Sequence, residues 1–108
     1  MNKEIIPVCF RAYRDNGEII AIFPTMPESY NAYMCRTYEH FGQHGAADPL
    51  HMVEITTPAQ EEQYTDLHRE LISIGYDNLR IVQKVNTSHY LRIRREEIAR
   101  TTRTRGTK

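Results

Sequence analysis

The residues best suited to chemistry lie between positions 38 and 48, where the sequence reads Tyr-Glu-His-Phe-Gly-Gln-His-Gly-Ala-Ala-Asp. This stretch holds two of the chain's five histidines and two of its five glycines. Gly42 and Gly45 bracket Gln43 and His44, and glycine lets a ligand or another backbone come close. Because each glycine would cost a helix about 1 kcal/mol relative to alanine, we predict a loop or a helix entry here. The polar side chains of this stretch are then most economically placed in a pocket.

The donors and the aromatic surface of this stretch favour the binding of an anionic small molecule such as a nucleotide. Backbone N–H groups of a glycine-rich loop can face an anion. Arg36 would lie on the same side of a predicted strand as Tyr38 and His40, where it would neutralise a phosphate. No cofactor is expected, and the candidate ligand-binding residues are Arg36, Tyr38, His40, Gly42, Gln43, His44 and Asp48.

Other uses of the same residues stay open. Zinc needs three or four converging donors, and the spacing of the candidate ligands matches no finger pattern, so no metal site is assigned; these candidates are Cys35, His40, His44, Asp48 and His51. Either histidine of the loop could be a general base in a small hydrolase, but no known catalytic motif accompanies them. A purely structural turn is the third alternative, and we expect a protein that is not an enzyme.

The bulk composition is that of an ordinary globular domain. The chain has 108 residues, 40% hydrophobic and 26% charged, which predicts one domain over residues 1–100. No apolar run approaches the roughly 20 residues of a membrane helix. The first residues lack the apolar segment of a signal peptide, so we expect a cytoplasmic protein with Cys9 and Cys35 as free thiols.

The net charge of zero hides an asymmetry between the body and the C-terminus. From residue 89 onward there are seven Lys or Arg and two Glu, so residues 1–88 are net acidic. Residues 101–108 contain no aliphatic or aromatic side chain, which predicts a disordered basic tail. Nucleic-acid binding through phosphates is therefore an alternative function, using Arg92, Arg94, Arg95, Arg100, Arg103 and Arg105.

The first half of the chain reads mainly as strands. Alternating apolar residues on both sides of Asn16-Gly17 predict a β-hairpin over residues 7–23. Pro24 and Pro27 predict a break over residues 24–29. Strands are predicted again over residues 31–38 and 51–56, on either side of the glycine loop.

The second half supplies the helices. Thr57, Pro58 and Gln60 predict a helix start, and an apolar stripe of Tyr64, Leu67, Leu71 and Ile74 predicts a helix over residues 58–74 that ends at Gly75. A strand over 79–85 and a short helix from residue 87 or 88 to about 100 follow, with Arg94 to Glu97 on its solvated face.

These elements predict an α+β fold. We expect a four- to five-stranded, mostly antiparallel sheet with one main helix on one face and a basic C-terminal helix or tail. The exposed edges of so small a sheet make a homo-oligomer an open alternative.

Three blocks of the sequence resemble a family of short proteins from bacteria, phages and mobile elements. The blocks are a strand ending in Phe23-Pro24, the Tyr38-Glu39-His40-Phe41-Gly42-Gln43-His44 segment, and a Tyr64-to-Leu67 helix closing on Ile74-Gly75-Tyr76. The resemblance covers roughly residues 8–85 and implies no particular activity. It implies that residues 38–48 are the distinguishing feature, and a phage or mobile-element setting suits a small binding protein.

Overall fold

The computed structural model of the protein describes residues 4–106, with side chains up to residue 102. Its elements confirm the α+β class. In chain order they are β1 (Ile6–Tyr13), β2 (Ile19–Glu28), β3 (Asn31–Glu39), β4 (Gln43–Ala47), α1 (Pro49–Ile55), β5 (Thr56–Pro58), α2 (Glu61–Ser73), β6 (Leu79–Ile81) and α3 (Ser88–Gly106). No helix among the described residues is long and apolar enough to cross a membrane.

The strands form one sheet in the order β4-β3-β2-β1-β5. Every pair along this path is antiparallel, and β6 pairs in parallel with the first residues of β1. The predicted hairpin is confirmed: β1 and β2 are adjacent, and Gly17 has the positive φ of 76° that a tight turn requires.

Each face of the sheet carries its own hydrophobic core, because alternate side chains of a strand point to opposite faces. On one face Val8 and Phe10 pack with Leu67 and Leu71 of α2. On the other face the buried cluster is Cys9, Ile20, Ile22, Cys35, Met52 and Val85. Helices therefore cover both faces, with α2 on one and α1 on the other.

The predicted break at residues 24–29 is wrong, because β2 runs through both prolines to Glu28. The pairing with β3 shifts register between Phe23 and Pro27. An irregularity of this kind accommodates residues that cannot donate to the ladder, so the prolines distort the strand without ending it.

The predicted strand over residues 51–56 is also wrong, since residues 49–55 form α1. The Asp48 side chain accepts a hydrogen bond from the Leu50 N–H at 2.9 Å, and Pro49 opens the helix. An aspartate cap followed by proline is a helix start, and it outweighs the short alternation that suggested a strand.

The main helix packs on one face of the sheet, as predicted, but it begins later in the chain than expected. Thr56–Pro58 form β5 against β1, and α2 starts at Glu61 with a capping box between Gln60 and Gln63. Leu67 and Leu71 are fully buried, whereas Ile74 is 48% exposed and lies outside the core. Gly75 follows the helix with a φ of 122°, as predicted for its end.

The C-terminal elements also differ in extent from the prediction. β6 ends at Ile81, and Val85 is buried beyond it. α3 continues through six residues of the predicted tail, while residues 107–108 lie outside the described part. The mobility of residues 101–108 in solution stays a prediction, as does the domain boundary at residue 100.

Arg94 departs from the expected solvated face of α3, because it is only 3% exposed. Its guanidinium donates to the Ala32 carbonyl at 2.6 Å and to the Pro24 carbonyl at 2.7 Å. Burial lowers the pKa of this guanidinium below its usual value. Arg94 therefore fastens α3 to β3 and to the irregular part of β2.

Candidate functional site

The predicted glycine loop is mostly a hairpin. β3 and β4 pair antiparallel, with Tyr38 opposite His44, and only residues 40–42 form the turn. Phe41 and Gly42 both have positive φ, 65° and 78°. This conformation is uncommon for phenylalanine, so interactions around the turn must hold it.

The Glu70 carboxylate of α2 supplies those interactions. It accepts hydrogen bonds from the Tyr38 hydroxyl, from His40 through Nδ1 at 2.7 Å, and from the Phe41 N–H at 2.6 Å. The Tyr38 oxygen in turn accepts the Gly42 N–H at 2.9 Å. One carboxylate thus ties the main helix to every residue of the turn, directly or through Tyr38.

Sequence reasoning missed Glu70, although a signal was present. Residues 67, 70, 71 and 74 share one face of a helix, and Glu70 is the only charged residue on that predicted apolar stripe. A carboxylate on a core-facing stripe needs hydrogen-bond partners. The sequence could not place those partners about thirty positions earlier in the chain.

These hydrogen bonds shift the pKa values of Glu70 and Tyr38. The Tyr38 hydroxyl, His40 and the Phe41 N–H lower the pKa of Glu70 from its usual 4.5 to about 2. Burial, followed by the bond to Glu70, raises the pKa of Tyr38. Glu70 is therefore a carboxylate and Tyr38 a neutral phenol at ordinary pH.

A cavity of about 510 Å³ opens beside this carboxylate. The Tyr76 ring on its wall stacks on Phe23 with centroids 5.2 Å apart, and the exposed His44 ring meets Tyr38 edge-on at 4.7 Å. The C-terminal end of α2 also faces it through Ile74 and Gly75. The complete lining is Tyr38, Gly42, His44, Glu70, Ile74, Gly75 and Tyr76.

The seven sequence-predicted site residues separate into two groups. Tyr38, Gly42 and His44 line this cavity, and His40 reaches its Glu70. The other three lie elsewhere. Asp48 caps α1, Gln43 is an exposed residue of β4, and Arg36 lines a second cavity of about 450 Å³ that shares no residue with the first.

The candidate metal ligands do not converge. Among residues 4–106, no three His, Cys, Asp or Glu side chains are placed to hold a metal ion. Cys35 is buried, with Sγ 3.6 Å from the Ala47 carbonyl that accepts its hydrogen bond, and burial raises its pKa to about 11. Burial also raises the pKa of Cys9.

The four C-terminal arginines whose side chains the structure describes each contact other groups of the protein. Arg92 contacts His89, Arg95 donates to the Tyr33 hydroxyl at 2.7 Å, and Arg100 pairs with Glu97. Arg94 is buried as described above. The side chains of Arg103 and Arg105 lie outside the described part of the structure.

Comparison of the chain with models of protein families, with curated proteins and with solved structures gives no match, so the resemblance to the bacterial and phage family stays a prediction.

Proposed function

We propose that this is a non-enzymatic binding protein whose ligand site is the cavity beside Glu70. The observation that carries the proposal is a carboxylate held by three donors at the wall of a cavity that also presents aromatic rings. Small-molecule binding sites are few in a protein, and such a site is typically an apolar pocket with a few convergent polar groups.

The charge of the wall favours a cationic ligand. Its seven residues include the Glu70 carboxylate and no Lys or Arg. The C-terminal end of α2 adds the negative end of a helix dipole. The anionic ligand expected from the sequence stays untested, but an anion would have to approach both of these negative groups. A cation with an apolar body would instead meet a carboxylate and aromatic faces.

The pKa shifts disfavour Glu70, Tyr38 and the two cysteines as catalytic groups. A general base or acid works best with a pKa near the operating pH. The pKa of Glu70 is about 2, and the pKa of Tyr38 is raised above its usual value. The raised pKa of each cysteine likewise disfavours a thiolate nucleophile.

Nucleic-acid binding receives less support than the sequence suggested. Arg94 is buried against two carbonyl groups, and Arg100 is paired with Glu97. The Arg94 guanidinium is therefore not accessible to a phosphate, whereas the Arg100 side chain is exposed beside Glu97. Nucleic-acid binding through the basic terminus stays a prediction from the sequence.

Two probes with short alkyl chains of similar length and opposite charge test the proposal. We expect butylammonium to shift the amide NMR resonances of Gly42, Gly75 and Tyr76. Its affinity should be on the order of millimolar, as suits a ligand of few atoms. Butyrate should leave them unchanged. Shifts caused by butyrate alone would contradict the assigned charge, and no shift with either probe would contradict the site.

A further inference from the structure

We infer that β4 pairs with β4 of a second copy of this chain, antiparallel across a two-fold axis, so that the sheet continues through a dimer. β4 is the end strand of the sheet, and its outer edge has no partner strand among residues 4–106. At the other edge of the sheet, β5 and β6 both pair with β1, and each is only three residues long, whereas β4 has five residues. The outer edge of β4 is therefore the longer of the two open edges.

The sequence of β4 lacks the features that prevent edge pairing. Monomeric proteins protect exposed edges with lysine, proline or very short strands. Residues 43–47 read Gln-His-Gly-Ala-Ala, with no Lys, Arg, Asp, Glu or Pro, and Gln43 to Ala46 are exposed. Small side chains let a second backbone come close, and two identical strands without formal charge do not repel each other.

The apolar side chains at the two ends of β4 make a copy of the same chain the fitting partner. Phe41 precedes the strand and is 91% exposed, and Leu50 follows it and is 62% exposed. A two-fold axis through Gly45 pairs residues whose numbers lie equally far before and after it. Position 41 then lies level with position 49 of the copy, so each Phe41 meets the first turn of the copy's α1, where Leu50 is exposed.

This arrangement is self-complementary, as a two-fold interface must be. The same contact, Phe41 against Leu50, occurs twice, once on either side of the axis. The hydrogen bond that the Phe41 N–H donates to Glu70 and the turn geometry fix the Phe41 backbone before association, which reduces the entropy lost on binding. Stable interfaces bury at least about 1,000 Å², so a five-residue strand requires these flanking contacts.

The first test is the oligomeric state by sedimentation velocity over a wide range of protein concentration. We expect a monomer–dimer equilibrium for the wild-type chain. Ala46→Lys puts charge on the edge and should shift the equilibrium to monomer. Ala99→Lys, a matched substitution at an exposed position of α3, should leave it unchanged. Thermal unfolding of both variants checks that they fold.

A charge exchange tests the register. Phe41→Lys alone and Leu50→Glu alone should each weaken the dimer, and an equimolar mixture of the two variants should form a heterodimer through the new ion pair. A wild-type chain that stays monomeric at every concentration would overturn the inference. A dimer unaffected by Ala46→Lys would overturn it as well, because the copies would then associate through another surface.

Discussion

At the residue scale, the Glu70 carboxylate connects α2 to the turn between β3 and β4. Its three donors come from a buried phenol, an imidazole and a backbone N–H. A carboxylate that accepts several hydrogen bonds is stabilised in its charged form, which is why its pKa falls to about 2. The same bonds hold Phe41 in its unusual backbone conformation.

The lowered pKa of Glu70 predicts a pH dependence of stability. A group whose pKa is lower in the folded state adds stability that is complete above its unfolded pKa and disappears as pH falls through its folded pKa. The unfolding free energy of the wild type relative to Glu70→Gln should thus be largest above about pH 4.5 and should shrink toward pH 2. Urea unfolding at a series of pH values measures this difference.

Asp66→Asn is the control for this series. Asp66 lies in the middle of the same helix and is exposed, and an exposed carboxylate contributes little to stability. Its substitution should have a small effect at every pH. A Glu70→Gln difference that is equally flat would contradict the account of the carboxylate.

Tyr38→Phe should lower the unfolding free energy by about 1–3 kcal/mol. The substitution removes the hydroxyl that accepts a hydrogen bond from the Gly42 N–H and donates one to Glu70. Tyr64→Phe is the matched control. The Tyr64 ring stacks on Phe10, and its hydroxyl makes no hydrogen bond in the described part of the chain. A loss for Tyr38→Phe no larger than for Tyr64→Phe would show that the hydroxyl network is dispensable.

At the element scale, the packing of α2 on the sheet gives the first prediction. Leu67 is fully buried against the β1–β2 core, so Leu67→Ala should cost about 2–5 kcal/mol. Ile72 on the same helix is 49% exposed, and Ile72→Ala should cost well under half as much. Urea denaturation of both variants gives the comparison. A loss below about 0.5 kcal/mol for Leu67→Ala would place α2 outside the core.

The attachment of α3 gives the second element-scale prediction. Arg94→Leu leaves the carbonyl groups of Pro24 and Ala32 without their donor and should cost about 2–4 kcal/mol in an unfolding experiment. Arg92→Leu, at an exposed position of the same helix, should change stability by less than about 0.5 kcal/mol. Equal losses would indicate that Arg94 does not anchor the helix.

The elements that the sequence predicted well are those with local signals. The Asn16-Gly17 turn and the Leu67-Leu71 stripe specify their structures within a few residues. The errors occurred where two local signals competed, as at Asp48-Pro49, where a cap outweighed a strand-like alternation. At Pro27 the pairing with Cys35 of β3 outweighed the preference of proline against strands.

At the scale of the whole molecule, the site depends on contacts between distant parts of the chain. The hairpin residues Tyr38 and His44 could be predicted as candidates, because they lie in one short, unusual stretch. Their meeting with Glu70 and Tyr76 could not, because nothing local records which helix residue packs against the turn. Without Glu70, the donors of the stretch suggested an anionic ligand; with it, the cavity wall includes a carboxylate.

A crystal structure of the protein with butylammonium tests the proposed site most directly. The account predicts the ammonium nitrogen within hydrogen-bond distance of Glu70 Oε1, which has only His40 as a partner among the described residues, and the butyl chain beside Tyr76. The same experiment with Glu70→Gln should leave the cavity without the cation. Butylammonium bound only elsewhere, or bound equally well in Glu70→Gln, would contradict the proposal.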